Sequence, residues 1–380
     1  MNVMYIAPRY HTNQIPLMDG WIKNGDSVLF LCQYQGGTED YSTLKPVTLG
    51  YSGFFRCIMK LYCRSKNQIL EEYMSNFGVH SKYGWFPMKK FVKLLSEFKP
   101  DLIILRERCI YNVFAYLIGV HYRIPCILYH QNPLWDFPKE DGIKSKVTSV
   151  FLPKDSFTPV LGIQTEKMQK RPRTRYIPFV MEPRVSPNEK KYFKEDSIHI
   201  LSIGKYETRK NHKMLIQVIK SVGIENIRLT IVGECVTNAQ KAFRTELEDH
   251  INREGMENIV VLRENLTRAD IQEEFKNADL FILPSTGEFA SISQLEAMAC
   301  SLAVVCSDKN GTACYIEPGN NGYLFQDNNE ESLMIVMQDL LLDKTKIIRM
   351  GRASYQLVLE RHTFRQYREK ICEIISGSLE

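Results

Sequence analysis

Pro284-Ser285-Thr286-Gly287-Glu288-Phe289-Ala290-Ser291-Ile292-Ser293-Gln294-Leu295-Glu296-Ala297-Met298-Ala299 follows the short apolar run Leu280–Leu283 and turns at a glycine into a helical pattern. Leu295, Met298, Ala299 and Leu302 recur at i, i+3, i+4 and i+7, so they are expected to face a core. Ser291 and Gln294 have capping-box spacing, which predicts a helix beginning there. Strand, tight turn and helix in immediate succession is the repeating unit of a parallel α/β layer. Glu296 falls off the apolar face, one turn into the helix, and Glu288 lies on the loop ahead of it. The amides around Ala290, Ser291 and Ile292 lack helical partners and sit at the positive end of the helix, so they form a natural anion site. Two carboxylates bracketing such a site suit a ligand with a diphosphate and sugar hydroxyls, because carboxylates accept strong hydrogen bonds. A loop carboxylate and a solvated helix residue remain the plainer alternative.

The same alternation runs through the rest of the chain. Strands are predicted at Val3–Ala7, Ser27–Cys32, Leu102–Leu105, Cys126–Tyr129 and Phe157–Val160, with helices at Met88–Phe98 and Tyr111–His121. A second series follows at His199–Ile203, Leu229–Val232, Ile259–Leu262, Leu280–Leu283 and Ala303–Cys306. Between the series, the polar stretch 183–196, with prolines at 183 and 187, reads as a linker. At 380 residues the chain exceeds what one core usually serves, so two domains are expected. The predicted arrangement is two doubly wound domains facing a central cleft, residues 1–185 and 186–360, with 361–380 a final helix able to cross back to the first. Ligands in such sheets sit beyond the carboxyl ends of the strands.

Composition limits the classes of function. Ten scattered cysteines with no C-x-x-C pair read as free thiols in a reducing compartment, with neither disulfide nor zinc. No apolar run approaches the ~20 residues of a membrane span, and the opening residues read as a first strand, not a leader, so a cytoplasmic location is expected. Residues 1–200 carry 28 Lys/Arg against 18 Asp/Glu, and residues 201–380 carry 21 against 26. A basic first half suggests an anionic partner: membrane lipid, a lipid-linked phosphate or nucleic acid. Phe55, Ile58, Met59 and Tyr62 share one helix face while Arg56, Lys60 and Arg64 line another, the pattern of a helix lying on a membrane surface. An ordinary surface helix with its apolar face in the core is the alternative. No aromatic-basic RNA signature is present, so nucleic acid is not an expected partner.

The segment from Glu288 to Glu296 resembles the Glu-x7-Glu signature of family 4 glycosyltransferases, retaining enzymes of the GT-B fold, two Rossmann-like domains. The flanks match as well: Pro-Ser before, Leu-Glu-Ala-Met-Ala within, Ser307-Asp308 and Gly311 after, then Glu317-Pro318-Gly319-Asn320-Asn321-Gly322-Tyr323-Leu324. The resemblance implies that Glu296 holds the nucleotide ribose and that Glu288 contacts the donor sugar. Phe289-Ala290-Ser291 stands where the family usually has Gly-Phe-Gly. Ile203-Gly204-Lys205-Tyr206-Glu207-Thr208-Arg209-Lys210-Asn211 is similar to the family's Gly-Arg-x4-Lys-Gly, and its lysines could neutralise a departing diphosphate without a metal. Val232-Gly233-Glu234 resembles the next glycine loop. By the same resemblance His130, just past a buried strand, is a cleft histidine near the transferred sugar. Lys205, Lys210, His130 and Glu288 are thus the expected catalytic residues. Glu296, Asn13, Gly204, Arg209, Gly233, Arg263, Ala290, Ser291 and Ile292 are expected to bind the donor. The implied activity is retaining transfer of a hexose or N-acetylhexosamine from a UDP- or GDP-sugar to a glycan or lipid-linked acceptor in surface polysaccharide synthesis, with no cofactor and no metal. Another nucleotide-sugar GT-B enzyme such as an epimerase, a silent sugar-nucleotide binding module and a nucleic-acid binder are the competing readings.

Overall fold

The computed structural model describes residues 1–11, 14–35, 39–67, 86–136, 150–162 and 165–377, with residues 55 and 56 described by backbone alone. It divides into two units: residues 1–159, 163–180 and 364–380 form the first, and residues 160–162 and 181–363 form the second. Each is built on a parallel sheet.

The first sheet contains β1 (Asn2–Ala7), β2 (Ser27–Cys32), β3 (Val47–Thr48), β4 (Leu102–Arg106), β5 (Cys126–Tyr129), β7 (Ser156–Thr158) and β9 (Thr174–Tyr176). Its order is β3-β2-β1-β4-β5-β7-β9. A separate antiparallel pair joins β6 (Trp135–Asp136) to β8 (Gln169–Lys170). Side chains of β1 and β4 are almost all buried, because both faces of a parallel sheet are covered and its central strands read as continuous apolar runs. On one face the helices Ile15–Lys23 and Phe364–Ser376 pack together, with Trp21 edge-on to Phe364 at 5.0 Å between ring centres. Trp21 Nε1 also donates to Tyr5 Oη at 2.8 Å. The other face is covered by Met88–Phe98 and Ile110–His121, through Phe91, Leu95, Tyr111 and Ala115.

In the second unit, β10 (Ile198–Ile203), β11 (Ile227–Gly233), β12 (Val260–Glu264), β13 (Leu280–Leu283), β14 (Ala303–Ser307) and β15 (Gly322–Phe325) form a sheet of order β12-β11-β10-β13-β14-β15. Leu215, Ile216, Ile231, Ile282 and Val305 belong to its core. In both sheets the first strand lies between its successor and a later strand: β1 between β2 and β4, β10 between β11 and β13. The chain changes direction of winding there, which opens a crevice at the carboxyl ends of those two strands.

Several expectations need correction. The strand placed at Phe157–Val160 runs over Ser156–Thr158 instead, and Val160 belongs to the second unit. The stretch 183–196 is no free linker. Lys190 is buried, its Nζ donating to the Phe275 and Lys276 carbonyls at 2.9 and 3.0 Å, and burial pushes its pKa down to about 8. Tyr192 Oη donates to the Ser301 carbonyl at 2.7 Å. The basic helix spans Gly53–Ser65, and its exposed apolar row is Phe54, Ile58, Leu61 and Tyr62. Cys63 is buried and Met59, one turn before it, is half-buried, so the seam through those two sets the helix's orientation. None of the ten cysteines is joined in a disulfide. Among the described residues, no helix is long and apolar enough to cross a membrane.

Candidate active site

The second unit's crevice is assembled from two loops. After β10, Gly204 to Asn211 passes through a 3-10 turn at Thr208–Lys210. After β13, Pro284 to Ser291 leads into the helix Ile292–Ala299. Thr286 ties them together, its amide donating to the Arg209 carbonyl at 2.9 Å and its hydroxyl to Asp327 at 2.7 Å. The Gly311 amide donates to the Glu288 carbonyl at 2.8 Å, fixing the loop from the other side.

Glu288 is the hub. Its carboxylate accepts from Arg209 Nη1 at 3.0 Å and forms a close ion pair with Lys210 Nζ. Glu288 and Lys210 side chains are largely buried, whereas Arg209 is half exposed and also pairs with Glu207 at 3.0 Å. A pair removed from water is held by stronger attraction than a surface pair, and breaking one half leaves an uncompensated charge. The aliphatic stem of Lys210 lies over Gly204, where an added Cβ would come within 2.9 Å of Lys210 Cδ. At Gly233 an added Cβ would meet the Gly204 carbonyl oxygen at 2.6 Å and the Tyr206 ring at 2.9 Å. These two glycines therefore make room for the loop that carries Lys210.

Glu296 is not free either. Arg184 Nη1 donates to it at 2.9 Å and to Gln272 Oε1 at 2.8 Å. Leu295, Met298, Ala299 and Leu302 are fully buried, which leaves Glu296 at the helix flank. Ser291 is the N-cap, yet the capping box does not form. Its hydroxyl meets Ser293 Oγ at 2.9 Å, and Gln294 is buried, donating to the Thr312 carbonyl at 3.0 Å and accepting from Asn310 and Thr312. With Gln294 turned inward, no side chain caps the helix start, whose amides at Ile292 and Ser293 keep the unpaired donors of any first turn.

The remaining expected residues are more dispersed. Lys205 pairs with Glu234 at 3.1 Å and Arg263 with Glu274 at 3.0 Å, so neither cation joins the Glu288 cluster. Asn13 lies outside the described residues. His130 belongs to the first unit, directly after β5. It is 3% exposed, and among the described residues neither ring nitrogen has a hydrogen-bond partner. Burial first, then the neighbouring Arg108 and Arg171 charges, hold its pKa down to about 4, so the imidazole is neutral at physiological pH. Arg184 escaped the sequence reading because it sits in a polar stretch without periodicity. Among the described residues no group of His, Cys, Asp and Glu is placed to hold a metal.

Two sheets, each wound in both directions from its first strand, define the GT-B fold. Residues 186–357, most of the second unit, match the family described as "Glycosyl transferases group 1". A D-inositol 3-phosphate glycosyltransferase of Paenarthrobacter aurescens is 27% identical over 164 residues, 41% of this chain and 38% of the relative. An N,N'-diacetylbacillosaminyl-diphospho-undecaprenol alpha-1,3-N-acetylgalactosaminyltransferase of Campylobacter jejuni is 33% identical over 93 residues, 24% of this chain and 25% of the relative. The aligned part thus spans well under half of either protein. Among solved structures, Anabaena Alr3699/HepE in complex with UDP superposes with a TM-score of 0.68, covering 99% of this chain and 100% of its own at 15% identity. That likeness extends the shared fold to both units.

Proposed function

We propose that this chain transfers a hexose or N-acetylhexosamine from a UDP- or GDP-sugar to a lipid-linked or glycan acceptor of surface polysaccharide, with retention at the anomeric carbon. The observation that carries the reading is the Glu288–Lys210–Arg209 cluster at a sheet switch point, followed at once by an uncapped helix start. Cations and amides gathered there can receive a diphosphate. When it arrives it competes with Glu288 for Lys210 and Arg209, and the released carboxylate becomes free to accept from sugar hydroxyls. Glu296, steadied by Arg184, is assigned the ribose hydroxyls. The bond from the anomeric carbon to the diphosphate oxygen breaks, and the acceptor oxygen attacks from the same face. A phosphate oxygen takes the acceptor's proton, so the nucleoside diphosphate leaves carrying it. Lys210, Arg209 and the first-turn amides stabilise the charge that develops, in place of a metal. His130, neutral, is assigned the part of orienting the sugar.

The Campylobacter relative's name, with its undecaprenol-linked diphosphate acceptor, supports a lipid-linked acceptor. The exposed row Phe54, Ile58, Leu61 and Tyr62, with Lys60 and Arg64 exposed on the same helix, supports docking at an anionic membrane surface. A thermal-shift panel of UDP, GDP, ADP and CMP tests the donor. Ligand at a hundred times its dissociation constant stabilises by about 2.7 kcal/mol. A flat response to all four sinks the reading.

A further inference from the structure

The loop that brings Glu288 to the crevice also carries a ring that the transfer scheme leaves idle. Phe289 is 75% exposed, more than any other aromatic side chain among those described; Phe54 follows at 61%. Its neighbours turn the other way: the Glu288 side chain is 15% exposed against Lys210, Ala290 is half-buried and Ser291 is buried. Single apolar residues at a surface are ordinary, so what matters is where this one stands and what holds it there. The backbone beneath the ring is braced. The Glu288 carbonyl accepts from the Gly311 amide at 2.8 Å, and a Cβ added to Gly311 would collide with the Phe289 carbonyl oxygen, so the two stretches of chain lie in direct contact. Thr286, three residues earlier, is tied to Arg209 and Asp327. A fixed loop, not a slack one, holds the ring out in solvent.

Around Glu288 the rim is open. Gly287 turns in the left-handed region, at φ +60°, and a Cβ added to it would meet nothing within 4 Å. The carboxylate thus has a bare flank at residue 287 and an aromatic ring at residue 289. A ligand can reach this largely buried carboxylate only from the solvent side, and that is the side on which the ring stands. Hexopyranoses present two kinds of surface, a rim of hydroxyls and a face of C–H groups. A carboxylate accepts hydrogen bonds from the first. The negative π face of an aromatic ring attracts the second, and covering the two surfaces removes apolar area from water. The same negative face repels a diphosphate, which leaves the sugar as the part of the ligand that the ring suits.

We propose that Phe289 is a specificity-determining residue, the platform for the C–H face of a hexopyranose that reaches Glu288. The part given to Glu288 rests on the transferase reading, whereas the platform requires only a pyranose ring. A sugar with an axial hydroxyl on the stacked face is lifted off the ring, so the platform selects among hexoses by the orientation of their hydroxyls. The donor's hexose and a hexose of the acceptor offer the same kind of face, and the probes below separate them.

Titration calorimetry and saturation-transfer NMR on the full chain decide it, with UDP, UDP-glucose, GDP, GDP-mannose and methyl glucoside as probes. Irradiating the aromatic protons of the native chain is expected to saturate the C–H protons of one sugar face, and Phe289→Ala is expected to reduce that transfer selectively. If the donor's hexose is stacked, Phe289→Ala weakens the sugar nucleotide roughly two- to tenfold and leaves UDP or GDP affinity unchanged. A fall confined to methyl glucoside, measured with nucleotide bound, places the acceptor's hexose on the ring instead. Phe289→Tyr keeps the π face and is expected to bind as the native chain does, with Phe289→Leu between the two. Equal loss for nucleotide and sugar nucleotide in a folded variant means that the ring serves the nucleotide, and overturns the proposal. Nucleotide binding with no effect of Phe289→Ala on any probe sinks the platform and leaves the transferase reading standing. Methyl glucoside binding that depends on Phe289, in a chain that binds no nucleotide, supports the platform and sinks the transferase reading. A chain that binds none of the probes removes both.

Discussion

The two switch points are built on the same plan but differ in how closely their charges are paired. In the second unit Lys210 and Arg209 already have a carboxylate partner in Glu288, and Glu296 already has Arg184. In the first unit the Arg106 side chain has a 3.4 Å hydrogen bond to Gln14 Oε1 and a 3.8 Å approach to the half-exposed Glu107 carboxylate, and Arg9 pairs with Glu39 at 3.5 Å. A site whose charges are internally paired is stable when empty and must exchange partners on binding. A cation held by longer, partly exposed contacts gives them up at lower cost.

Lys210→Ala attacks the paired side and has the largest expected effect. Preorganised stabilisers of developing charge are worth about 10²–10³ in rate, so single-turnover transfer is expected to slow by that order with acceptor affinity little changed. Equal loss in turnover and acceptor affinity would mean general electrostatic attraction instead. Glu296→Gln keeps the shape and removes the charge held by Arg184. Nucleotide binding is expected to weaken roughly ten- to a hundredfold without loss of fold, and unchanged calorimetric affinity removes the ribose assignment.

Acid sharpens the contrast further. His11 and His130 in the first unit, held to about 3 and about 4, and His212 in the second, held to about 4 by burial, all titrate below the usual histidine range. The folded state refuses protons that the unfolded chain accepts, so their stabilisation is whole above about pH 6.5 and is lost as pH falls toward 4. Each contributes a slope of about 1.4 kcal/mol per pH unit. Urea unfolding between pH 6.5 and 5 is expected to show a shallower slope in His130→Gln than in the native chain; an identical slope contradicts the burial argument. The smallest effect concerns the exposed helix. Each basic residue near an anionic surface is worth about 1 kcal/mol, so Lys60→Gln with Arg64→Gln is expected to reduce flotation with anionic liposomes in low salt. Equal non-binding of native and variant chains to anionic and neutral liposomes rules the contact out.

How far the fold could be read depended on periodicity. Long buried runs such as Leu280–Leu283 and Cys126–Tyr129 announced themselves, and the core face of Ile292–Ala299 followed from its spacing. The short strands Val47–Thr48, Gln169–Lys170 and Thr174–Tyr176 carry too few residues to show alternation. Gln294 shows a different limit: its spacing from Ser291 fits a local cap, but tertiary partners at Asn310 and Thr312 claim its amide. Glu288 was legible as a loop carboxylate, whereas its pairing with Lys210 joins residues 78 apart in sequence. Arg106 left a trace that went unread, a charged residue ending an otherwise apolar strand.

The helix Phe364–Ser376 packs on Trp21 and lies in the core with Tyr5 and Phe157, though the residues just before it belong to the second unit. During synthesis the first unit consequently waits. Residues 181–363 must be translated before its missing helix emerges, about 10–40 s at typical elongation rates of 5–20 residues per second. Through that interval Trp21 and Tyr5 lack the helix that packs on them in the folded unit, and apolar surface stays open to water that later closes.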